Sequence, residues 1–114
     1  MVTRLFALFF LVMGLAVAPA ANVKSGSATC PSSGSKQVST TSLKVIKLDI
    51  MAPLANTGTV YIGGSTISST TGIPVTNASG YSFPPVSNSA SYDLSNIYFA
   101  CSQSADSITF LYLQ

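Results

Sequence analysis

Asp49, Asp93 and Asp106 are the only acidic side chains in this 114-residue sequence, which contains no His. A general acid/base pair needs two carboxylates to meet in one place, and nothing in the spacing brings any two of these together. Asp93 precedes Leu94-Ser95 after a polar stretch, and Asp106 falls in an expected turn, where Asp commonly caps its own backbone. No loop has the alternating acidic residues of a calcium site. With no His or Glu and only 2 Cys, zinc sites and Ser/His or Cys/His nucleophile systems cannot be assembled from this chain. The sequence therefore predicts no catalytic residue, no metal ligand and no cofactor, and the protein reads as a non-enzyme.

Three weaker patterns have ordinary explanations. Gly58, Gly63 and Gly64 lack the following Lys and receiving helix of a phosphate loop, so they read as turn glycines. Tyr61, Tyr81, Tyr92, Tyr98 and Tyr112, with the later Phe residues, lie in segments of core-like alternation and read as packing aromatics rather than a sugar or base platform. Asn77-Ala78-Ser79 matches a glycosylation sequon, a pattern frequent by chance in a Ser-rich chain.

The elements that carry these residues begin with an export signal. Arg4 supplies a positive start, residues 5–18 form an apolar run, and Ala18-Pro19-Ala20 is a small-x-small cleavage site, so residues 1–20 read as a signal peptide cut after Ala20. The rival reading is an uncleaved membrane anchor over residues 1–21, near the lower limit of roughly 17 to 25 residues for a spanning helix. After Ala20 the chain holds 4 Lys and 3 Asp, and this near-neutral balance gives no pull toward nucleic acid.

Export gives the cysteines meaning, because an oxidising compartment turns an even, small number of thiols into a bridge. Cys30 and Cys101 allow one pairing, and the alternative is two unpaired buried thiols. A bridge would close a loop worth about 4 kcal/mol in chain entropy.

Residues 21–36 are rich in Ser and Gly and nearly devoid of apolar side chains, so they read as an arm held at Cys30. Residues 37–114 change to short β-branched and aromatic runs separated by Gly, Pro, Asn and Ser. Strands are expected at residues 36–41 and 43–51. In the latter, Ile46, Leu48 and Ile50 share one parity and Val45 the other, which predicts a bulge near Val45. Further strands are expected at residues 59–63 and 66–68, after an Asn56-Thr57-Gly58 turn. Residues 72–75 read as an edge segment and residues 81–86 as an edge or loop, because Pro74, Pro84 and Pro85 cannot donate to a ladder.

Residues 97–102 and 107–113 are expected to form a hairpin, with the last strand central because both its faces are apolar. The fold class is all-β, a small antiparallel β-sandwich or barrel behind the N-terminal signal or anchor helix. Ile62, Phe99, Ile108 and Phe110 are expected to be deeply buried, with Lys44, Lys47 and residues 25–35 exposed or disordered.

The stretch from Asn56 to Gln114 resembles a family of short structural proteins of tailed bacteriophages, found as capsid decoration, head-fibre or accessory virion proteins. The residues that carry the likeness are Asn56-Thr57-Gly58, Val60-Tyr61-Ile62-Gly63-Gly64-Ser65, Gly72-Ile73-Pro74-Val75 and Tyr81-Ser82-Phe83, followed by Leu94-Ser95-Asn96-Ile97-Tyr98 and Phe110-Leu111-Tyr112-Leu113. The resemblance implies a non-enzymatic domain that occupies many equivalent positions on a virion. Its expected partners are other virion or surface proteins and further copies of the chain, without nucleic acid, and with a membrane only through residues 1–21. The export signal departs from the family, whose members usually assemble in the cytoplasm. It leaves a second expectation open, a secreted bacterial surface or fibre subunit, with an extracellular or periplasmic location in place of the virion. A small hydrolase or lectin is the third class, and it would need a built polar cleft.

Overall fold

The computed structural model describes residues 22–68, 70–86 and 90–114. The signal or anchor reading of residues 1–21 lies outside them. Among the described residues no helix is long and apolar enough to cross a membrane.

The described residues fold into ten short strands: β1 (Val23–Thr29), β2 (Lys36–Gln37), β3 (Lys44–Val45), β4 (Lys47–Met51), β5 (Val60–Gly63), β6 (Ile73–Val75), β7 (Gly80–Phe83), β8 (Tyr92–Asp93), β9 (Tyr98–Cys101) and β10 (Ser107–Leu113). The helical content of the described residues is a single 3₁₀ turn at Leu94–Asn96. Every pairing among the described residues is antiparallel. One four-stranded sheet has the order β1-β10-β4-β7, the second has the order β2-β9-β5-β6, and β3 pairs separately with β8.

The two large sheets bury one shared core. Leu48, Ile50 and Ile108 come from the first sheet and Val60, Ile62, Val75 and Phe99 from the second, with Val45, Leu94 and Ile97 filling the ends. Period-two alternation explains the contributions of β4 and β5, since Leu48 and Ile50, then Val60 and Ile62, point inward while their neighbours do not. As expected, β10 is an interior strand, β6 and β7 are edges, and Ile62, Phe99 and Ile108 are fully buried.

Several expectations are corrected. The arm over residues 21–36 contains the seven-residue strand β1, paired along its whole length with β10, so the β domain starts at Val23 rather than at residue 37. An edge strand needs ladder hydrogen bonds more than it needs apolar side chains. Here the absence of a side chain is itself used: a Cβ on Gly26 would lie 2.6 Å from Cζ of Phe110, its direct ladder partner, because the ring lies over the glycine. That placement also explains why Phe110 is half-buried instead of fully buried.

The expected hairpin is absent. β9 pairs with β2 and β5, whereas β10 pairs with β1 and β4, so the link between them crosses from one sheet to the other. The single strand expected over residues 43–51 is split at Ile46, with β3 in the small sheet and β4 in the large one. Buried positions change parity from Val45 to Leu48, and Ile46 is left 42% exposed. The irregularity expected near Val45 is therefore a change of sheet. Finally, residues 66–68 form no strand, only Lys36–Gln37 of residues 36–41 pair, and Lys47 is half-buried because its Nζ donates to Asp49 and to the Phe83 carbonyl.

Candidate functional site

Each carboxylate is occupied in holding backbone or a neighbouring strand. Asp93 caps the 3₁₀ turn through the Ser95 N–H at 3.0 Å and accepts from the Ser95 hydroxyl at 2.8 Å. It also reaches outside its own turn, accepting from the Ser42 hydroxyl at 2.6 Å and the Leu43 N–H at 3.1 Å. The Ser42 hydroxyl bond, followed by the Ser95 bonds, holds its carboxyl well below the ordinary carboxylate range. Asp49 accepts from the Lys47 ammonium at 2.9 Å and from the Ser82 hydroxyl on neighbouring β7. The Ser82 bond and then the Lys47 bond lower its pKa against the opposing effect of burial.

Asp106 departs furthest from its expected role. It is only 4% exposed, and it serves a turn 49 residues away rather than its own backbone. Its Oδ1 accepts from the Thr57 N–H at 2.9 Å and the Thr57 hydroxyl at 3.3 Å, and its Oδ2 accepts from the Gly58 N–H at 2.8 Å. The Thr57 backbone bond is the largest influence lowering its pKa; desolvation opposes it and the Gly58 bond reinforces it. Two successive N–H groups closing on one anion resemble a small anion nest, and the anion that fills it belongs to the chain. A Cβ on Gly58 would run into the Ser102 hydroxyl and lie 3.3 Å from Asp106 Oδ2, so this glycine is required by close approach.

Asn56, a turn residue by its sequence, completes the same junction. Buried, it donates from Nδ2 to the Ser107 carbonyl at 2.8 Å and accepts at Oδ1 from the Ser107 N–H at 3.0 Å, so its amide imitates a paired strand residue. The Thr59 N–H donates to the Ser102 hydroxyl at 2.9 Å. The turn before β5 is thus locked to both ends of the link from β9 to β10. Nearby, Cys30 and Cys101 form a disulfide with their Cα atoms 5.9 Å apart. The bridge joins the end of β1 in one sheet to the end of β9 in the other, and the Cys30 N–H donates to the Asp106 carbonyl at 3.0 Å.

The aromatics lie along the margin of the core. Tyr81, Phe83 and Tyr92 stack edge to face, with ring centroids 5.0 and 5.3 Å apart, and Phe110 lies against Tyr112 at 6.0 Å. All five are partly buried against the core, the packing role expected of them. Of the glycines weighed as a phosphate loop, Gly58 lies in the Asp106 junction, while Gly63 and Gly64 end β5. The sequon residue Asn77 is exposed in the turn between β6 and β7.

Among the described residues, the outer face of the β1-β10-β4-β7 sheet is open to solvent. A shallow groove of about 590 Å³ runs across it, lined by Ser25, Thr109, Leu111, Asp49, Met51 and Ser82 among others. Apolar side chains lie on this face without cover: Leu111 is 46% exposed, Met51 48% and Val23 64%, while Ile46, Ile73 and, at 76%, Leu54 are exposed outside the strands of this sheet. Among the described residues no group of three His, Cys, Asp or Glu side chains is placed to hold a metal ion. No known protein family, curated protein or solved structure matches this chain significantly.

Proposed function

We propose that the chain is a non-enzymatic structural subunit of a virion, in a capsid decoration, head-fibre or accessory position, and that it works by packing in many copies. The observation that carries this reading is the direction in which its groups point. Its three carboxylates are bonded to its own backbone, hydroxyls and Lys47, while Val23, Met51 and Leu111 are turned out to solvent on one sheet face. Exposed apolar surface grouped on one face is characteristic of a surface that meets other protein. In this reading the two sheets form a small β-sandwich, exported through residues 1–20, and the disulfide supplies stability that so small a core cannot provide alone.

The disulfide also favours a second reading, a secreted bacterial surface or fibre subunit, since a bridge between Cys30 and Cys101 suits the periplasm or the exterior. Mass spectrometry of density-purified particles separates the two. The first reading predicts the chain at many copies per particle and capsid or tail genes beside its own. Absence from particles, presence in the culture medium and neighbouring secretion or pilus genes would replace it with the second.

A further inference from the structure

Four strands form the edges of the two large sheets, and three of them are poor templates for another strand. β2 has two residues, β6 contains Pro74, and β7 runs directly into Pro84-Pro85. Short length and proline are the ordinary means by which sheet edges are kept from pairing. β1 has neither, although it is as long as any strand in the molecule.

The pairing pattern shows which groups this edge presents. Asn22 and Gln114 exchange both backbone hydrogen bonds, so in the antiparallel ladder Lys24, Gly26 and Ala28 also direct their N–H and C=O groups at β10. Val23, Ser25 and Ser27 direct theirs the other way, and among the described residues no backbone group pairs with them. Thr29 does the same, its carbonyl accepting only the Lys36 ammonium, at 3.3 Å. The side chains beside these free groups are small and uncharged apart from Lys24.

We propose that β1 is a homotypic interface at which a second copy of this chain adds its own β1 antiparallel, across a two-fold axis at Gly26. In this register Ser25 faces Ser27 of the second copy, Val23 faces Thr29, and the outward-directed backbone groups of all four residues are used. Lys24 lies opposite Ala28, whereas a slip that centred the axis on Lys24 would oppose two ammonium groups. The product is one continuous eight-stranded sheet, and the exposed Val23, Leu111 and Met51 of both copies lie on its same outer face. This deepens the multi-copy reading and rests on it for its purpose; the pairing can fail while the chain is still found on particles.

The test uses the full chain, expressed from its complete coding sequence in an exporting host, with the disulfide verified by mass. Hydrogen exchange is followed at low and high protein concentration. The amides of Ser25 and Ser27 become at least tenfold slower on concentration, while those of Gly26 and Ala28 are slow throughout. Sedimentation of two double variants reads the register. Ser25→Lys with Ser27→Lys places like charges opposite one another and raises the dimer dissociation constant at least tenfold. Ser25→Lys with Ser27→Asp places opposite charges together and restores it. Fast exchange at Ser25 and Ser27 at every concentration overturns the proposal. So does concentration-independent protection, which would mean that the chain's own residues 1–21 cover the edge. Self-association indifferent to both double variants places the interface elsewhere and also overturns it.

Discussion

Replacing Asp106 tests whether the junction between the 56–59 turn and the start of β10 holds the two sheets together. The carboxylate accepts two backbone N–H bonds, from Thr57 at 2.9 Å and Gly58 at 2.8 Å, and a longer bond from the Thr57 hydroxyl at 3.3 Å. Removing an acceptor leaves each donor unsatisfied at about 1–3 kcal/mol when buried, and charge-assisted bonds lie toward the upper part of that range. Thr57 is exposed and Gly58 half-buried, so water recovers part of the loss. Asp106→Ala is therefore expected to destabilise the domain by about 2–4 kcal/mol. Asp106→Asn keeps the shape and one acceptor but turns an amide donor toward the other N–H, for a loss of about 1–2 kcal/mol.

Thr57→Val removes only the longest bond and should cost less than about 1 kcal/mol. The assay is urea unfolding of the disulfide-bonded protein, with the two-state slope checked for each variant. A loss below about 0.5 kcal/mol for Asp106→Ala, or Thr57→Val costing as much as Asp106→Ala, would refute the assignment of the junction to the carboxylate and the two N–H groups.

Three further outcomes follow from the same geometry. All three Asp carboxyls have pKa values lowered by hydrogen bonds in the folded state; the unfolded chain then takes up protons first on acidification, so stability is full above about pH 5 and falls as pH drops below about 4. Asp106→Asn should flatten that fall in a thermal melt series, and an unchanged acid slope would contradict it. Opening the Cys30–Cys101 bond, by reduction or by the double Ser variant, should cost up to about 4 kcal/mol in chemical unfolding, as expected for the loop it closes. Gly26→Ala should destabilise by about 1 kcal/mol despite its lower unfolded-state entropy, since the Phe110 ring must move from its place over the glycine; a neutral or stabilising result would show that the ring shifts freely.

The sequence revealed those features whose causes are local. Alternation in residues 47–51 and 60–63 reports a buried face, Pro74 and Pro84-Pro85 mark edges by their missing donors, and two cysteines allow one pairing. β1 was illegible because its stability comes from the ladder with β10 and from the Phe110 ring over Gly26, neither of which leaves apolar residues in Val23–Thr29. The link between β9 and β10 is ambiguous in the sequence for a related reason. Two apolar runs separated by a short polar link look the same whether the link turns within one sheet or crosses to the other, and here Asp106 and Ser102 are held by the distant 56–59 turn. Asn56 in turn resembles any turn asparagine until Ser107 is placed beside it.

The account's central claim, a subunit that acts by repeated packing rather than by chemistry, is tested most directly by cryo-electron microscopy of purified particles from the source lysate with symmetry averaging. It predicts density for the two four-stranded sheets and the Cys30–Cys101 bridge at symmetry-repeated positions, with the face bearing Leu111 and Met51 against a neighbouring subunit. Particles without such density, together with the chain recovered as a free monomer in the medium, would contradict it.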